Sequence, residues 1–311
     1  MKIIAKTGRD DIATVYIAEM RAGKRIEFVE SVQPPLPREK KWVLIISSLF
    51  GCCVNCAFCD AGGDYQGKLS KEDLFNQIDF LVTNRYPDRI IPVEKFKIQF
   101  ARMGEPALNM NVLDALSEFH DIYEAPGFIP SISTIAPANT DNFFENLLKI
   151  KKSIYKEKFQ LQFSIHTTDQ NFRNTLIPVK KWDFKEIANY GHDFYEKNHR
   201  KITLNFALSD NFPLETEVLR KYFSPEKFLI KITPINPTYK AIKQEFSSEK
   251  LLSGGREDLI YELKQAGYDV ILSIGELEEN QIGSNCGQYL KNHEKEKHGL
   301  EKSYNYDLQP I

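Results

Sequence analysis

Three thiols crowd the stretch Gly51-Cys52-Cys53-Val54-Asn55-Cys56-Ala57-Phe58-Cys59-Asp60, where Cys52, Cys56 and Cys59 form a C-x3-C-x2-C set. Thiolates this close together suit a soft metal or an iron–sulfur cluster. A four-iron cluster takes four ligands, so three cysteines leave one iron open, and an open iron is a place for chemistry. The plainer alternative is a zinc ion completed by a distant histidine, but no second ligand pair of the usual zinc spacing follows downstream. Two further patterns could do chemistry. In Met103-Gly104-Glu105-Pro106 a glycine permits close backbone approach beside a carboxylate. In Asn285-Cys286-Gly287-Gln288 stands the one cysteine outside the cluster stretch. A lone cysteine is ordinarily an inert small hydrophobe.

Elements that position these groups are legible around them. Trp42-Val43-Leu44-Ile45-Ile46-Ser47 is an apolar run read as a parallel strand buried on both faces, feeding straight into the cysteine loop. Ser70 caps a helix over Lys71–Asn84, with Glu72 and Asp73 in its first turn. Further strands are expected at Phe96–Phe100, Pro130–Thr134, Phe159–His166, Lys201–Leu208, Phe228–Thr233 and Asp269–Ile274. Helices are expected at Val112–Tyr123, Asn142–Leu148, Phe184–Asn198, Glu215–Tyr222 and Glu257–Ala266. Such alternation means βαβ units and a parallel sheet. Cys52, Glu105, His166 and Asn236 each fall just past a strand's C-terminal end, the edge where parallel α/β folds bind ligands. Six units are too few for an eightfold barrel, so a partial one is expected. Before it, Thr14–Ala18 and Arg25–Val32 alternate as a β-hairpin, and Gln33-Pro34-Pro35-Leu36-Pro37 is a stiff linker.

Composition bounds the function. The 311 residues carry a formal net charge of −2, which is not the footprint of a strongly basic nucleic-acid-binding surface. No apolar run approaches membrane-spanning length and no signal peptide is evident. Five cysteines, four of them in one stretch, fit a reducing cytoplasm rather than a disulfide framework.

The cysteine spacing, with Phe58 before the last thiol, resembles the radical S-adenosylmethionine (SAM) superfamily. Ser47-Ser48-Leu49-Phe50-Gly51-Cys52 through Cys59 resembles more narrowly the RlmN/Cfr-like methyl synthases of ribosomal RNA adenine. So do Met103-Gly104-Glu105-Pro106-Ala107-Leu108-Asn109, Ser164-Ile165-His166, Arg173-Asn174-Thr175-Leu176-Ile177-Pro178, Pro234-Ile235-Asn236-Pro237 and Asn285-Cys286-Gly287-Gln288, in order and at similar spacing. The resemblance implies a [4Fe-4S] cluster on Cys52, Cys56 and Cys59, with SAM on its open iron and a reductant such as flavodoxin or ferredoxin. One electron then cleaves SAM to a 5′-deoxyadenosyl radical, and that chemistry belongs to the cofactor. Gly104 and Glu105 would meet the SAM amine. Ser131, Ser164, Ile165, His166 and Asn236 would line the rest of its site. Cys286 would carry a methyl group from one SAM, a second SAM would supply the radical that activates it, and Glu30 matches the family's proton acceptor. Read without the resemblance, Glu30 is an exposed strand carboxylate.

Three departures stand out. Ile45 occupies the place of the family's second catalytic cysteine, and Cys53 is the remaining thiol that could replace it or else merely tune the cluster. The family's longer N-terminal RNA-binding region is reduced to the hairpin. Gly275-Glu276-Leu277-Glu278-Glu279-Asn280 is acidic where the family is basic, and carboxylates repel phosphates.

The expectation is therefore an α/β radical SAM enzyme with a partial (β/α)6 barrel: an N-terminal hairpin and linker over 1–41, the barrel over 42–274, and a catalytic-cysteine loop and tail over 275–311. It is expected to be cytoplasmic and monomeric, moving a SAM-derived methyl through Cys286 to an sp2 carbon of RNA adenine, a small molecule or a peptide. One alternative keeps the radical step but has Cys286 quench a radical or form a thioether. Another is a non-catalytic iron–sulfur or zinc protein.

Overall fold

A computed structural model describes residues 1–274, 277–284, 288–290 and 304–311. The chain enters through β1 (Lys2–Arg9), β2 (Ala13–Glu19) and β3 (Arg25–Val32). The hairpin of β2 and β3 matches the sequence expectation, while β1 escapes it, because charges at Lys2, Lys6 and Arg9 interrupt its alternation. β3 pairs antiparallel with β4 (Lys41–Ile46), Val29 opposite Ile45. The hairpin is thus continuous with the main sheet.

After β4 come the short antiparallel pair β5 (Leu49–Cys52) and β6 (Gly63–Lys68), then α1 (Lys71–Thr83), β7 (Lys95–Phe100), α2 (Asn111–Ile122), β8 (Phe128–Thr134), α3 (Asp141–Ile150) and β9 (Gln160–Ser164). α1 starts at the expected Ser70, whose hydroxyl accepts from the Asp73 amide while the Asp73 carboxylate accepts from the Ser70 amide, a reciprocal cap. The chain continues through α4 (Gln170–Leu176), α5 (Phe184–Phe194), β10 (Ile202–Leu208), α6 (Thr216–Tyr222), β11 (Phe228–Pro234), α7 (Tyr239–Lys243), α8 (Glu249–Leu252), α9 (Glu257–Gln265) and β12 (Val270–Leu272). It closes with α10 (Leu277–Ile282) and β13 (Gln309–Pro310).

One mixed sheet of eleven strands results, in the order β12-β11-β10-β9-β8-β7-β4-β3-β2-β1-β13. From β4 to β12 every neighbour is parallel; from β4 to β13 every neighbour is antiparallel. This is the expected parallel α/β sheet, enlarged at one edge by antiparallel strands. Among the described residues its two ends do not pair with each other.

The parallel strands alternate. Phe96, Ile98 and Phe100, then Leu161 and Phe163, then Ile202, Leu204 and Phe206, and Phe228, Ile230 and Ile232 are buried on one face. Trp42 stacks against Phe96 at 5.1 Å and Phe96 against Phe128 at 5.8 Å, one ring per neighbouring strand, with Phe119 of α2 laid 3.8 Å over Phe128. The opposite face carries Gln99, Ser133, Gln162, Asn205 and Thr233, which all line one cavity. A strand buried on both faces, as expected for β4, therefore does not occur: Trp42, Leu44 and Ile46 are buried, while Val43 and Ile45 are only partly so. Side chains from so many consecutive strands reach one cavity because the sheet's polar face surrounds it.

Candidate active site at the strand ends

The cysteine loop follows β5 and is pinned from three sides. The Ala57 amide donates to the Leu176 carbonyl at the end of α4 (2.9 Å). The Thr238 hydroxyl donates to the Phe58 carbonyl (2.7 Å). The Asp60 carboxylate accepts from the Tyr239 and Lys240 amides at the start of α7 (3.0 and 3.1 Å), and Lys240 Nζ reaches Asn55 Oδ1 (2.6 Å). Gly51 sits at φ +70°, and a Cβ there would meet the Asp64 carbonyl at 2.4 Å, so the turn that launches the loop needs glycine.

Cys52, Cys56 and Cys59 line the cavity, which measures about 310 Å³. Burial pushes the Cys52 thiol up to about 11 and raises Cys56 further, with Cys59 and Cys52 adding to the effect. Among the described residues no three His, Cys, Asp or Glu side chains converge as a single ion requires. Three thiols lining one cavity are a donor set that would suit an iron–sulfur cluster.

Glu105 also lines the cavity and is buried. Its carboxylate accepts from the Ala107 amide (3.0 Å), the Ile135 amide (2.9 Å) and the Thr134 hydroxyl. Burial, the larger cause, outweighs these bonds and raises its pKa to about 7. All its donors are neutral, so a ligand ammonium would complete it. Gly104 has φ +99°, and a Cβ there would lie 2.5 Å from the Leu49 side chain. Asn109 of the same motif is structural, its amide donating to the Ser48 and Leu69 carbonyls at 2.8 Å each.

His166, Ser164 and Asn236 line the cavity as expected. His166 holds φ +67°, an uncommon backbone for a non-glycine residue. Its Nδ1 accepts from the Ala207 amide at 3.0 Å, which assigns the proton of the neutral ring to Nε2. Burial, with Arg173 nearby, pushes its pKa down to about 3. Phe58 packs edge-on against this ring at 4.8 Å, so the aromatic inside the cysteine motif contacts the histidine of Ser164-Ile165-His166. Ile165 is buried beside the cavity, and its amide donates to the Asn205 carbonyl.

Other expected residues fall elsewhere. Ser131 is buried with its hydroxyl unpartnered and does not line the cavity; Ser133, two residues on along the same face, does, accepting from Gln99 and Gln162 at 3.2 Å each. Glu30 is neither exposed nor at the cavity. It is buried under Tyr16 (2.9 Å), Trp42 (3.2 Å) and Arg85 (3.0 Å), because β3 turns this residue to the apolar face. Cys53 is exposed and does not line the cavity, whereas Ile45 does. Cys286 lies outside the described residues.

The sequence reading overlooked the polar ladder Gln99, Ser133, Gln162 and Asn205, although its period-two alternation was visible. It also overlooked Glu27 and Arg102, a fully buried ion pair at 2.8 Å, which no local pattern marks.

No family model matches the chain. It is 25% identical over 89% of its length to the probable dual-specificity RNA methyltransferase RlmN of Pseudothermotoga lettingae, spanning 79% of that protein. It is 29% identical over 76% of its length to the dual-specificity RNA methyltransferase RlmN of Halorhodospira halophila, spanning 63% of that protein. A radical SAM methyltransferase from Sphaerobacter thermophilus shares the fold, with a TM-score of 0.67 and 19% identity over 92% of this chain and 80% of that one. The chain thus shares its fold with a radical SAM methyltransferase and most of its length, at low identity, with these RNA methyltransferases. The chain is a distant homologue of the RlmN methyltransferases. That homology implies a [4Fe-4S] cluster and SAM. No described helix is long and apolar enough to cross a membrane.

Proposed function

We propose that this enzyme is a methyl synthase that passes a SAM-derived one-carbon unit through Cys286 to an electron-poor sp2 carbon. The observation that carries the reading is the meeting of Cys52, Cys56, Cys59 and the neutral-partnered Glu105 in one cavity. When bound, the cluster and SAM supply one electron, a methyl group and a carbon radical. The chain's own residues do the rest. Cys52, Cys56 and Cys59 hold the cluster. Glu105 takes the SAM ammonium, and its neighbours Thr134 and Ile135 fix the carboxylate. His166 presents a neutral N–H, and Ser164, Ser133 and Asn236 offer hydrogen bonds to the rest of SAM. Phe58 adds an apolar wall to the cavity. Glu30, held in its own ion network, is not the proton acceptor in this reading, and Cys53 stays outside the site.

RNA adenine is the first substrate class, as the relatives' names imply. A second reading, a small molecule or peptide, is favoured by the acidic α10, whose Glu279 lines the cavity. Methyl-deuterated SAM supplied to anaerobic lysate distinguishes them: label in RNA supports the first, label confined to metabolites or protein the second. Label in none of the three, with 5′-deoxyadenosine still formed, would refute methyl transfer.

A further inference from the structure

Lys240, at the start of α7, holds a charge against the cysteine loop that no carboxylate answers. Its Nζ donates to Asn55 Oδ1 (2.6 Å) and, at longer reach, to the Cys56 carbonyl (3.4 Å) and the Gly62 carbonyl (3.5 Å). All three acceptors are neutral, and among the described residues the ammonium joins no ion pair. Asp60, in the same loop, turns its carboxylate elsewhere: it accepts from the Tyr239 and Lys240 amides and from the Tyr304 hydroxyl.

The side chain is held, not draped over the surface. Its own amide is fixed by Asp60 at 3.1 Å. Two residues earlier, the Thr238 hydroxyl donates to the Phe58 carbonyl (2.7 Å) and accepts from the Ala241 amide (3.0 Å). Gly62 completes the cradle. A Cβ there would fall 2.7 Å from Lys240 Nζ and 2.7 Å from the Asn55 Cα, so glycine is what leaves room for the ammonium. A half-buried lysine is ordinarily matched by a carboxylate, because removing its charge from water is costly. Here the loop offers only dipoles, and the counter-charge has to come from what the three cysteines hold.

Covalent geometry bounds the distance. Cys56 Sγ is four bonds from its own carbonyl oxygen, so the ammonium lies within about 8 Å of that sulfur. Three thiolates on a [4Fe-4S]2+ core sum to one negative charge before SAM binds. One electron from an external reductant makes it two. A fixed cation therefore favours the reduced state, and net charge around a cluster is one of the levers on its potential. At an effective dielectric constant of about 20, unit charges about 8 Å apart interact strongly enough to move an equilibrium by more than about tenfold.

We infer that Lys240 raises the reduction potential of the cluster, acting as a fixed cation without a carboxylate partner. This rests on the cluster that the proposed function places on Cys52, Cys56 and Cys59. Lys240 touches the loop and not the reacting atoms, so it acts through its field.

The test compares wild type with Lys240→Met, Lys240→Arg and Lys243→Met, the last removing an exposed cation from the same helix. All four are reconstituted anaerobically in low-salt buffer, and iron is measured. The reduced cluster is then followed by electron paramagnetic resonance through a redox titration without SAM. All four are expected to keep their iron. Lys240→Met is expected to lower the equilibrium constant for one-electron reduction at least about tenfold, which moves the midpoint about 59 mV more negative. Lys240→Arg, which keeps the charge, and Lys243→Met, whose charge water screens, are expected to stay within about threefold of wild type. An unmoved midpoint in Lys240→Met overturns the inference, and so does an equal shift in either of the other two variants. Loss of iron in either Lys240 variant overturns it too, because the ammonium would then merely pin the loop. If wild type itself takes up no iron, the cluster assignment fails and Lys240 falls with it, whereas a wild-type cluster beside an unmoved Lys240→Met midpoint removes Lys240 alone.

Discussion

Glu105 concentrates the electrostatics of the site. Its three donors are neutral, so the charge waits for a ligand cation. Glu105→Gln is expected to weaken SAM binding by about tenfold or more, since a charged hydrogen bond contributes roughly 1.5–3 kcal/mol, with cluster iron retained; equilibrium dialysis against labelled SAM measures it. Lys97 shows the opposite case. It shares the polar face of β7 with Gln99, and burial, with Lys231, Lys41 and Arg200 nearby, pushes its pKa down to about 7. Folding therefore disfavours its charge. Above the unfolded value of about 10.5 both states are neutral and nothing is lost. Between there and pH 7 the unfolded chain binds the proton first, so stability falls as pH falls and the loss is complete below 7. Lys97→Met is expected to raise stability at pH 7 by about 1–3 kcal/mol and to flatten the rise between pH 7 and 10. Urea midpoints across that range check both.

At the scale of elements, the turns after the parallel strands carry the demands that substitution cannot meet. Gly104→Ala would place a side chain at φ +99° and drive its Cβ into Leu49. A cost of roughly 1–3 kcal/mol is expected, together with weaker SAM binding, because Glu105 moves with the turn. Arg173 belongs to the motif between β9 and α5, yet it acts on the fold. Its guanidinium is buried, donating to the Trp182 carbonyl (2.7 Å) and the Ile135 carbonyl (3.3 Å), and so supports Ile135, whose own amide holds Glu105. On the other face, Phe119→Ala removes the ring that covers Phe128. It is expected to cost about 3–5 kcal/mol with SAM affinity unchanged in whatever remains folded. Denaturant titration beside dialysis separates the two faces of the sheet.

For the molecule as a whole, the antiparallel strands are structural neighbours of the site. β3 supplies Glu27 and covers the edge of β4, the strand that leads to the cysteines. Removing residues 2–32 is expected to expose that edge and leave Arg102 charged and unpaired. The shortened chain should aggregate, and should not assemble the cluster even when reconstituted in dilute solution; light scattering and iron content report the two effects. The acidic α10 packs on β1 and β2, with Glu278 paired to Arg9, so the antiparallel part also holds the helix whose Glu279 lines the cavity.

The residues alone marked the cysteine set and the alternation of the parallel strands with their main helices, but not β1, β5, β6, α4, α7, α8, α10 or β13. Thiol spacing, the Gly104-Glu105 turn, the Ser70 cap and the alternation of strands with helices are local signals, written in consecutive residues and set by covalent reach, backbone freedom and side-chain period. Orientation was decided only in three dimensions. Glu30 and Glu27 sit in the same strand and look alike in the sequence, but the pleat sends one under Tyr16 and Trp42 and the other to Arg102 and Leu290. Ser131 and Ser133 share a face, and only depth along the strand separates the one that lines the cavity from the one that does not. The partners that settle these cases lie tens to hundreds of residues away, so no local pattern holds the information; packing of the whole sheet supplies it.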